Sequence, residues 1–149
     1  MMTIENLQSS DTLIIGYGVT GKATAFALGI RNYSDKGDEP TLHFYNSFIL
    51  CLPTPTIKGK QDISAIEEWL EKIKNGNSES LVIIRSTILP GTTEKLIKKY
   101  DLNIVFVPEF LTESTAVEDA VNPEFMVIGT KDPFLRQEVR DLFKINTKE

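Results

Sequence analysis

The sequence predicts an α/β fold in which helices cover a doubly wound, mostly parallel sheet. Two observations predict it. Short apolar runs typical of buried strands alternate with segments of helical periodicity, and a glycine-rich turn joins the first run to the first helix. With 149 residues, 41% of them hydrophobic, residues 1–149 fit one domain with one core.

The first βα unit begins with a strand predicted at residues 12–15, an apolar run that enters the glycine turn. Residues 22–28 are rich in alanine and predict a helix, which Gly29 would end. The region that follows is the least regular of the chain. Residues 34–40 have the composition of a turn, and the state of residues 42–45 stays open.

Residues 62–75 predict the second helix. Its apolar residues recur at i, i+3, i+4 and i+7 and form one face: Ile66, Trp69, Leu70 and Ile73. Trp69 belongs to this stripe, so it is interpreted as a core residue. Ser64 and Glu67 have the spacing of a capping box at the start of the helix.

The remaining strands are predicted at four runs rich in β-branched or aromatic residues: 48–52, 81–84, 104–107 and 125–128. Residues 134–143 predict the closing helix. The only cysteine, Cys51, falls inside an apolar strand and is interpreted as a core residue. The only histidine, His43, has no visible partner and is interpreted as incidental.

Charge and apolar run length exclude several classes of function. A net charge of −5 disfavours binding to nucleic acid, because phosphate neutralisation needs clustered Lys and Arg. The apolar runs are far shorter than the roughly 20 residues that span a bilayer. A polar N-terminus without signal-peptide features, together with a single cysteine, leads us to expect a cytoplasmic protein. No metal site is predicted.

Residues 16–21 read Gly-Tyr-Gly-Val-Thr-Gly, the G-x-G-x-x-G pattern of a dinucleotide-binding turn. Glycines permit a tight turn and let backbone N–H groups approach a pyrophosphate, whose charge is favoured at a helix N-terminus. This pattern between a strand and a helix is typical of Rossmann-like folds. On its own it also fits a tight turn that binds nothing.

The same fingerprint requires an acidic residue about 20 positions further on, at the end of the second strand, to bind the adenosine ribose. Asp35 lies 35 − 16 = 19 positions after Gly16, which places a short second strand near residues 30–34. If residues 42–45 formed that strand instead, Asn46 would take its end. Asp35 also fits a simple turn residue.

Three further segments of unusual composition each follow a predicted strand. They are Leu-Pro-Thr-Pro-Thr at 52–56, Arg-Ser-Thr-Ile-Leu-Pro-Gly-Thr-Thr at 85–93, and Val-Pro-Glu-Phe-Leu-Thr-Glu at 107–113. Open α/β sheets bind their ligands at the carboxyl ends of their strands. We therefore expect the polar groups of these segments to converge on one crevice.

Taken in order with the glycine turn and residues 115–119, 122–123 and 127–129, these segments resemble the UDP-glucose/GDP-mannose 6-dehydrogenase family from about Leu13 to Gly129. The resemblance implies NAD as cofactor and a UDP- or GDP-sugar as substrate. It implies oxidation of the sugar C6 alcohol to a carboxylate in two NAD-dependent steps, through an intermediate bound to a cysteine thiol.

The resemblance also implies roles for individual residues. With Asp35 of the fingerprint, the cofactor site would comprise Gly16, Gly18, Val19, Thr20, Gly21, Asp35, Thr54, Thr87 and Glu113. The substrate would contact Glu109, Phe110, Leu111, Thr112 and Glu113. Glu113 would help to activate the water that hydrolyses the thioester, and Thr87 would orient it. Alternatively, Glu109 and Glu113 are two solvated carboxylates.

The chain departs from the family at several points. The nucleophilic cysteine, lysine and asparagine of the family belong to a second domain beyond residue 149, so another domain or chain would have to supply them. We expect the isolated chain to be inactive. Thr112 replaces a basic residue of the family and Phe125 an arginine, and the region after Asp35 is abbreviated.

Two alternative functions remain on the sequence. The chain could be a nucleotide-binding module without catalysis. Residues 16–23 are also similar to the nucleotide-binding turn of the muramyl ligases, although that interpretation leaves residues 53–56 and 108–113 unexplained.

Overall fold

The protein is described by a computed structural model for residues 9–143. The strands and helices, in chain order, are β1 (Thr12–Ile15), α1 (Val19–Leu28), β2 (Tyr33–Ser34), β3 (Ser47–Leu50), β4 (Thr56–Ile57), β5 (Lys60–Gln61), α2 (Ser64–Asn77), β6 (Leu81–Ile84), α3 (Thr92–Tyr100), β7 (Asn103–Phe106), α4 (Ala116–Val121) and α5 (Pro133–Leu142). Short 3-10 helices occupy Ser9–Asp11, Leu42–Phe44 and Glu113–Thr115. No helix in this part of the chain is long and apolar enough to cross a membrane.

The central sheet is parallel throughout, in the order β2-β1-β3-β6-β7, and helices cover both of its faces. Successive residues of each strand point to opposite faces. In β1, Leu13 and Ile15 pack in the layer with α2 and α3, whereas Ile14 packs in the layer with α1 and α5. Burial on both faces is the reason why these strands are continuous apolar runs in the sequence. The predicted α/β fold is confirmed.

The strand order reverses beside β1. One neighbour of β1 is β2, and the rest of the sheet continues through β3 on the other side. Ile15, the last residue of β1, pairs with Ser34 of β2 and with Leu50 of β3. A doubly wound sheet leaves a crevice at such a reversal, outside the carboxyl ends of its strands. The glycine turn therefore begins at the edge of this crevice.

The second strand lies within residues 30–34, as the first of the two alternatives predicts. It is only two residues long, and residues 42–44 form a 3-10 helix rather than a strand. The Asn46 alternative is therefore wrong. The Asn46 N–H donates to the Asp11 carbonyl at 2.8 Å, and its own carbonyl accepts from the Leu81 N–H at 3.1 Å, which places Asn46 at the amino edge of the sheet.

Most other predicted elements are confirmed with shifted ends. The first helix begins three residues earlier than predicted because the helix includes the last residues of the glycine turn. The strands predicted at 48–52 and 104–107 are Ser47–Leu50 and Asn103–Phe106. On α2 the buried face contains Ile66, Leu70 and Ile73, and Trp69 packs against the same core at its margin.

The capping box predicted for α2 is wrong. The Ser64 N–H donates to Asp62 Oδ1, outside the helix, at 2.9 Å. Hydrogen bonds from the Ser64 side chain and from this N–H lower the pKa of the Asp62 carboxyl. The Glu67 carboxylate accepts from Lys99 Nζ at 2.6 Å and from the Tyr100 hydroxyl at 3.2 Å. Glu67 therefore ties α2 to α3 and is not available to cap its own helix.

The strand predicted at residues 125–128 is also wrong. The segment is irregular, and its end forms a single antiparallel bridge between Gly129 and Phe106 of β7. Met126 and Ile128 pack against the core while Phe125 and Val127 are exposed, so the alternation of a strand is present. The pairing does not extend beyond this bridge, so residues 125–128 form no strand.

Candidate cofactor and substrate site

Two of the three fingerprint glycines are required by the protein itself. Gly16 has φ 92°, and a Cβ there would lie 2.3 Å from the carbonyl oxygen of Cys51. A Cβ at Gly21 would lie 2.0 Å from the carbonyl oxygen of Gly16. The first glycine thus lets the turn pass the end of β3, and the third lets α1 pack closely on that turn.

The middle glycine has a different environment. Apart from the two adjacent residues, no atom of the described chain lies within 4 Å of a Cβ built at Gly18, and its φ of −81° and ψ of −156° are extended backbone that other residues also adopt. Gly18 is the N-cap residue of α1, and within residues 9–143 no side chain accepts from the first N–H groups of that helix. The open space therefore lies where a helix N-terminus favours an anion.

Asp35 directly follows β2, beside the glycine turn. The Gly16 N–H donates to the Ser34 carbonyl at 2.9 Å, which brings the two segments together. The Asp35 N–H donates to Asp38 Oδ2 at 2.8 Å, and the Asp38 N–H donates to the Asp35 carbonyl at 3.0 Å. Asp35 is thus a turn residue through its backbone, and its exposed carboxylate lies at the strand end that the fingerprint requires.

The loops after β3 and β6 are joined by hydrogen bonds at the carboxyl edge of the sheet. The Thr54 hydroxyl donates to the Thr87 carbonyl at 2.6 Å, and Gln61 Nε2 donates to the same carbonyl at 2.9 Å. The Leu52 N–H donates to Ser86 Oγ at 2.9 Å. The structure therefore brings two of the predicted site residues, Thr54 and Thr87, into direct contact.

The loop after β7 is shaped by two carboxylates. Glu109 Oε2 accepts from the Leu111 N–H at 2.6 Å. Asp119 Oδ2 accepts from the Thr112 N–H and from the Thr115 hydroxyl, both at 2.9 Å. Glu109 is thus half-buried and bonded within its own loop, whereas Glu113 is exposed at the start of the 3-10 helix.

A model of the UDP-glucose/GDP-mannose dehydrogenase family, NAD binding domain, matches residues 3–147. The chain belongs to this family. Its domain is accordingly the NAD-binding domain of sugar-nucleotide dehydrogenases. This assignment confirms the resemblance carried by the ordered segments, and it leaves the muramyl-ligase interpretation without support.

Relatives in this dehydrogenase family are considerably longer than the chain. UDP-glucose 6-dehydrogenase of Campylobacter jejuni is 38% identical over 111 residues, which cover 71% of this chain and 28% of that protein. GDP-mannose 6-dehydrogenase of Azotobacter vinelandii is 33% identical over 100 residues, covering 56% of this chain and 23% of that protein. The chain thus spans about a quarter of the length of these curated relatives.

Solved dehydrogenase structures share the fold. A ternary complex of GDP-mannose dehydrogenase from Pseudomonas aeruginosa superposes with a TM-score of 0.75 at 23% identity, covering 90% of this chain and 44% of that one. A UDP-glucose dehydrogenase from Pyrobaculum islandicum gives 0.75 at 20% identity, covering 97% and 46%. Both likenesses support a Rossmann-like dehydrogenase fold.

Cys51 is partly buried and packs against the margin of the core layer that contains α1 and α5, so the prediction of a core residue is confirmed only in part. Burial raises the pKa of its thiol to about 12, and the nearby positive charge of Arg85 offsets only part of that rise. The thiol therefore remains protonated at neutral pH and is a poor nucleophile. The sequence showed no cation near Cys51, because Arg85 approaches it only through the pairing of β3 with β6.

Sequence reasoning missed several residues of this site. Gln61 belongs to the β4–β5 hairpin, and Asp119 to α4; neither belongs to the loop that it holds. Tyr17 and Tyr33 stack with ring centroids 3.8 Å apart and an interplanar angle of 11°, which joins the glycine turn to β2. Among the residues around this site, only Arg85 shows a signal in the sequence itself. It is a charged residue directly after a buried strand, which indicates an unusual environment.

Proposed function

We propose that this chain forms the NAD-binding part of an enzyme that oxidises the C6 alcohol of a UDP- or GDP-sugar to a carboxylate. The observation that carries the proposal is the open space at Gly18. No described atom of the protein requires a glycine there, whereas a pyrophosphate that approaches the start of α1 does. Family membership supplies the class of reaction.

Cofactor binding follows from this geometry. The N–H groups of Val19 and Thr20 are unpaired helix donors that would bind the pyrophosphate, and the Asp35 carboxylate would accept from the adenosine ribose hydroxyls. The joined loops that contain Thr54 and Thr87 would form the wall at the other end of the crevice. NAD, when bound, accepts the hydride from the substrate.

The loop after β7 would contact the substrate through Glu109, Phe110, Leu111 and Thr112. One oxygen of Glu109 is used by the Leu111 N–H, which leaves the other for a sugar hydroxyl. Glu113, an exposed carboxylate, would take a proton from the water that attacks the thioester. Thr87 would orient that water with its exposed side chain, because its carbonyl already accepts two hydrogen bonds.

The nucleophilic thiol must come from outside the described residues, since the pKa of Cys51 is about 12. We therefore expect the isolated chain to bind NAD without reducing it in the presence of UDP-glucose or GDP-mannose. Calorimetric titration measures the binding, and the absorbance of NADH measures the reduction. Sustained reduction of NAD by this chain alone would contradict the proposal that the nucleophilic thiol comes from elsewhere.

Asp35→Ala tests ribose recognition. We expect it to weaken NAD binding roughly 10- to 100-fold, because one charge-assisted hydrogen bond contributes about 1.5–3 kcal/mol. NADP carries a phosphate on the same ribose and should lose little, so the preference for NAD should fall. Asp38→Ala is the matched control, since it breaks the turn's bond to the Asp35 N–H but keeps the Asp35 carboxylate. Equal losses of NAD affinity in Asp35→Ala and Asp38→Ala would show that Asp35 acts only by shaping the turn and does not bind the ribose.

A further inference from the structure

A cavity of about 280 Å³ lies on the α1 side of the sheet, apart from the glycine turn. It is bounded by the second half of α1, the loop after β7 and the segment after α4. Arg85, the residue that follows β6, lines it from the sheet. Phe110, Phe125 and Phe143 contribute its aromatic wall.

Arg85 has an unusual environment for an arginine. It is 7% exposed, its Nε has no hydrogen-bond partner, and among the described residues no carboxylate lies within ion-pair distance of it. Its contact is the Phe143 ring, whose centroid lies 5.3 Å from the guanidinium carbon. Burial lowers the pKa of Arg85, but a guanidinium stays charged at neutral pH. The Glu109 carboxylate favours the charged form of Arg85 but makes no ion pair with it, and a buried charge that is incompletely paired is costly to the folded protein.

Thr24 of α1 brings a second polar group to the same cavity. It is 2% exposed, and its hydroxyl oxygen is closed to solvent and lies beside the Cys51 thiol, a weak hydrogen-bonding group. Of these two buried polar side chains that line the cavity, Arg85 is therefore the one with donors to spare. Buried polar groups in native proteins are normally satisfied, so the cavity is built for a partner.

We propose that this cavity binds a small organic anion. Its carboxylate or phosphate accepts hydrogen bonds from the terminal nitrogens of the Arg85 guanidinium. Its apolar body packs against Phe110 and Phe125, whose rings lie 4.7 Å apart between centroids and are each 57% exposed. An arginine with a planar fork of donors suits a carboxylate or phosphate particularly well.

The size and charge of the cavity limit the ligand to a small molecule. Its volume lies just below the roughly 300–1,000 Å³ of pockets that hold drug-sized ligands. Asp119 and Glu124 also line it, and their negative charges oppose an extended polyanion. A dinucleotide or a whole sugar nucleotide is therefore a poor fit, and the site is distinct from the proposed cofactor site.

Arg85 is the one cationic side chain among the described residues that line this cavity, and Thr112 and Phe125 line it as neutral residues. The cavity shares Phe110, Leu111 and Thr112 with the proposed substrate loop, but anion binding at Arg85 requires neither NAD nor catalysis and is tested without them.

The test compares wild type with Arg85→Met in sodium benzoate, sodium acetate and inorganic phosphate, at constant ionic strength against sodium chloride. We expect benzoate to bind the wild type more tightly than acetate, since only benzoate has an apolar body for the two phenyl rings. Arg85→Met should weaken binding at least tenfold. The affinity of inorganic phosphate, compared with the affinities of the two carboxylates, distinguishes a phosphate site from a carboxylate site. Calorimetry and amide chemical shifts at Thr24 and Phe125 measure the binding.

Arg136→Met, an exposed arginine of α5, is the matched control and should bind as the wild type does. Equal anion-dependent stabilisation of wild type and Arg85→Met would reveal a general salt effect and overturn the proposal. Absence of binding by all three anions to the wild type would also overturn it. If Arg85→Met does not fold, Phe125→Ser should remove the preference for benzoate over acetate, and an unchanged preference overturns the proposal.

Discussion

Gly18→Val is expected to weaken NAD binding roughly 10- to 100-fold while the domain stays folded. A side chain at this position enters the open space beside the start of α1 and keeps a pyrophosphate from the backbone N–H groups. Loss of a charge-assisted hydrogen bond of about 1.5–3 kcal/mol accounts for that range. The melting temperature should change by no more than about 3 °C, because a Cβ at this position meets no described atom beyond the two adjacent residues. Calorimetry and thermal unfolding measure the two effects.

Gly21→Ala is the contrasting control within the same hexapeptide. Its Cβ would lie 2.0 Å from a backbone carbonyl oxygen, so the turn or α1 must shift, and we expect a loss of about 2–3 kcal/mol in stability. Gly18→Val should thus mainly weaken NAD binding, and Gly21→Ala should mainly lower the stability of the fold. If Gly18→Val binds NAD as tightly as the wild type, the pyrophosphate is not held at this turn.

Glu138→Gln is expected to stabilise the protein at pH 8 and to have almost no effect at pH 4. Burial raises the pKa of Glu138 from about 4.5 to about 7, and the negative charges of Asp132 and Asp141 add to the rise. Between these two values the folded protein holds a proton that the unfolded chain has released. Stability therefore falls as the pH rises from about 4.5 to about 7, and the loss is complete above that range.

The size of the effect follows from the shift. A shift from 4.5 to 7 corresponds to about 3 kcal/mol. Glu138 is 4% exposed, and relaxation of its surroundings lowers the cost of a buried carboxylate, so we expect about 1–2 kcal/mol. Denaturant unfolding of wild type and variant across this range measures the difference. Glu138→Leu should flatten the profile in the same way, because it also removes the charge. Parallel profiles for wild type and Glu138→Gln would refute the assignment.

The four long strands of the sheet were predictable because burial on both faces makes them continuous apolar runs. Tyr33–Ser34 is a strand only because it pairs with Ile14 and Ile15, and two residues carry no periodicity of their own. Its position came from the spacing between Gly16 and Asp35, a requirement of ligand chemistry. Residues 125–128 show the opposite case, since a strand pattern without a neighbour to pair with remains a loop.

The candidate site was predictable to the extent that strand ends converge on one edge of a parallel sheet. Thr54 and Thr87 are 33 positions apart, yet both follow strands and they meet. Gln61 and Asp119 could not be found in this way, because their roles depend on how a hairpin and a short helix fold back. The unpaired state of Arg85 is likewise a property of its three-dimensional surroundings, and no spacing in the sequence shows it.

The Thr87 carbonyl, which accepts from both Thr54 and Gln61, affects how quickly the crevice can be filled. Both of its lone pairs are used within the protein, so the two loops are held in one conformation before a ligand arrives. The two loops lose their conformational entropy when the protein folds, so ligand association carries no further cost for ordering them. A cofactor that enters here should meet a preorganised wall, and its association should follow a single exponential without a slow closing step.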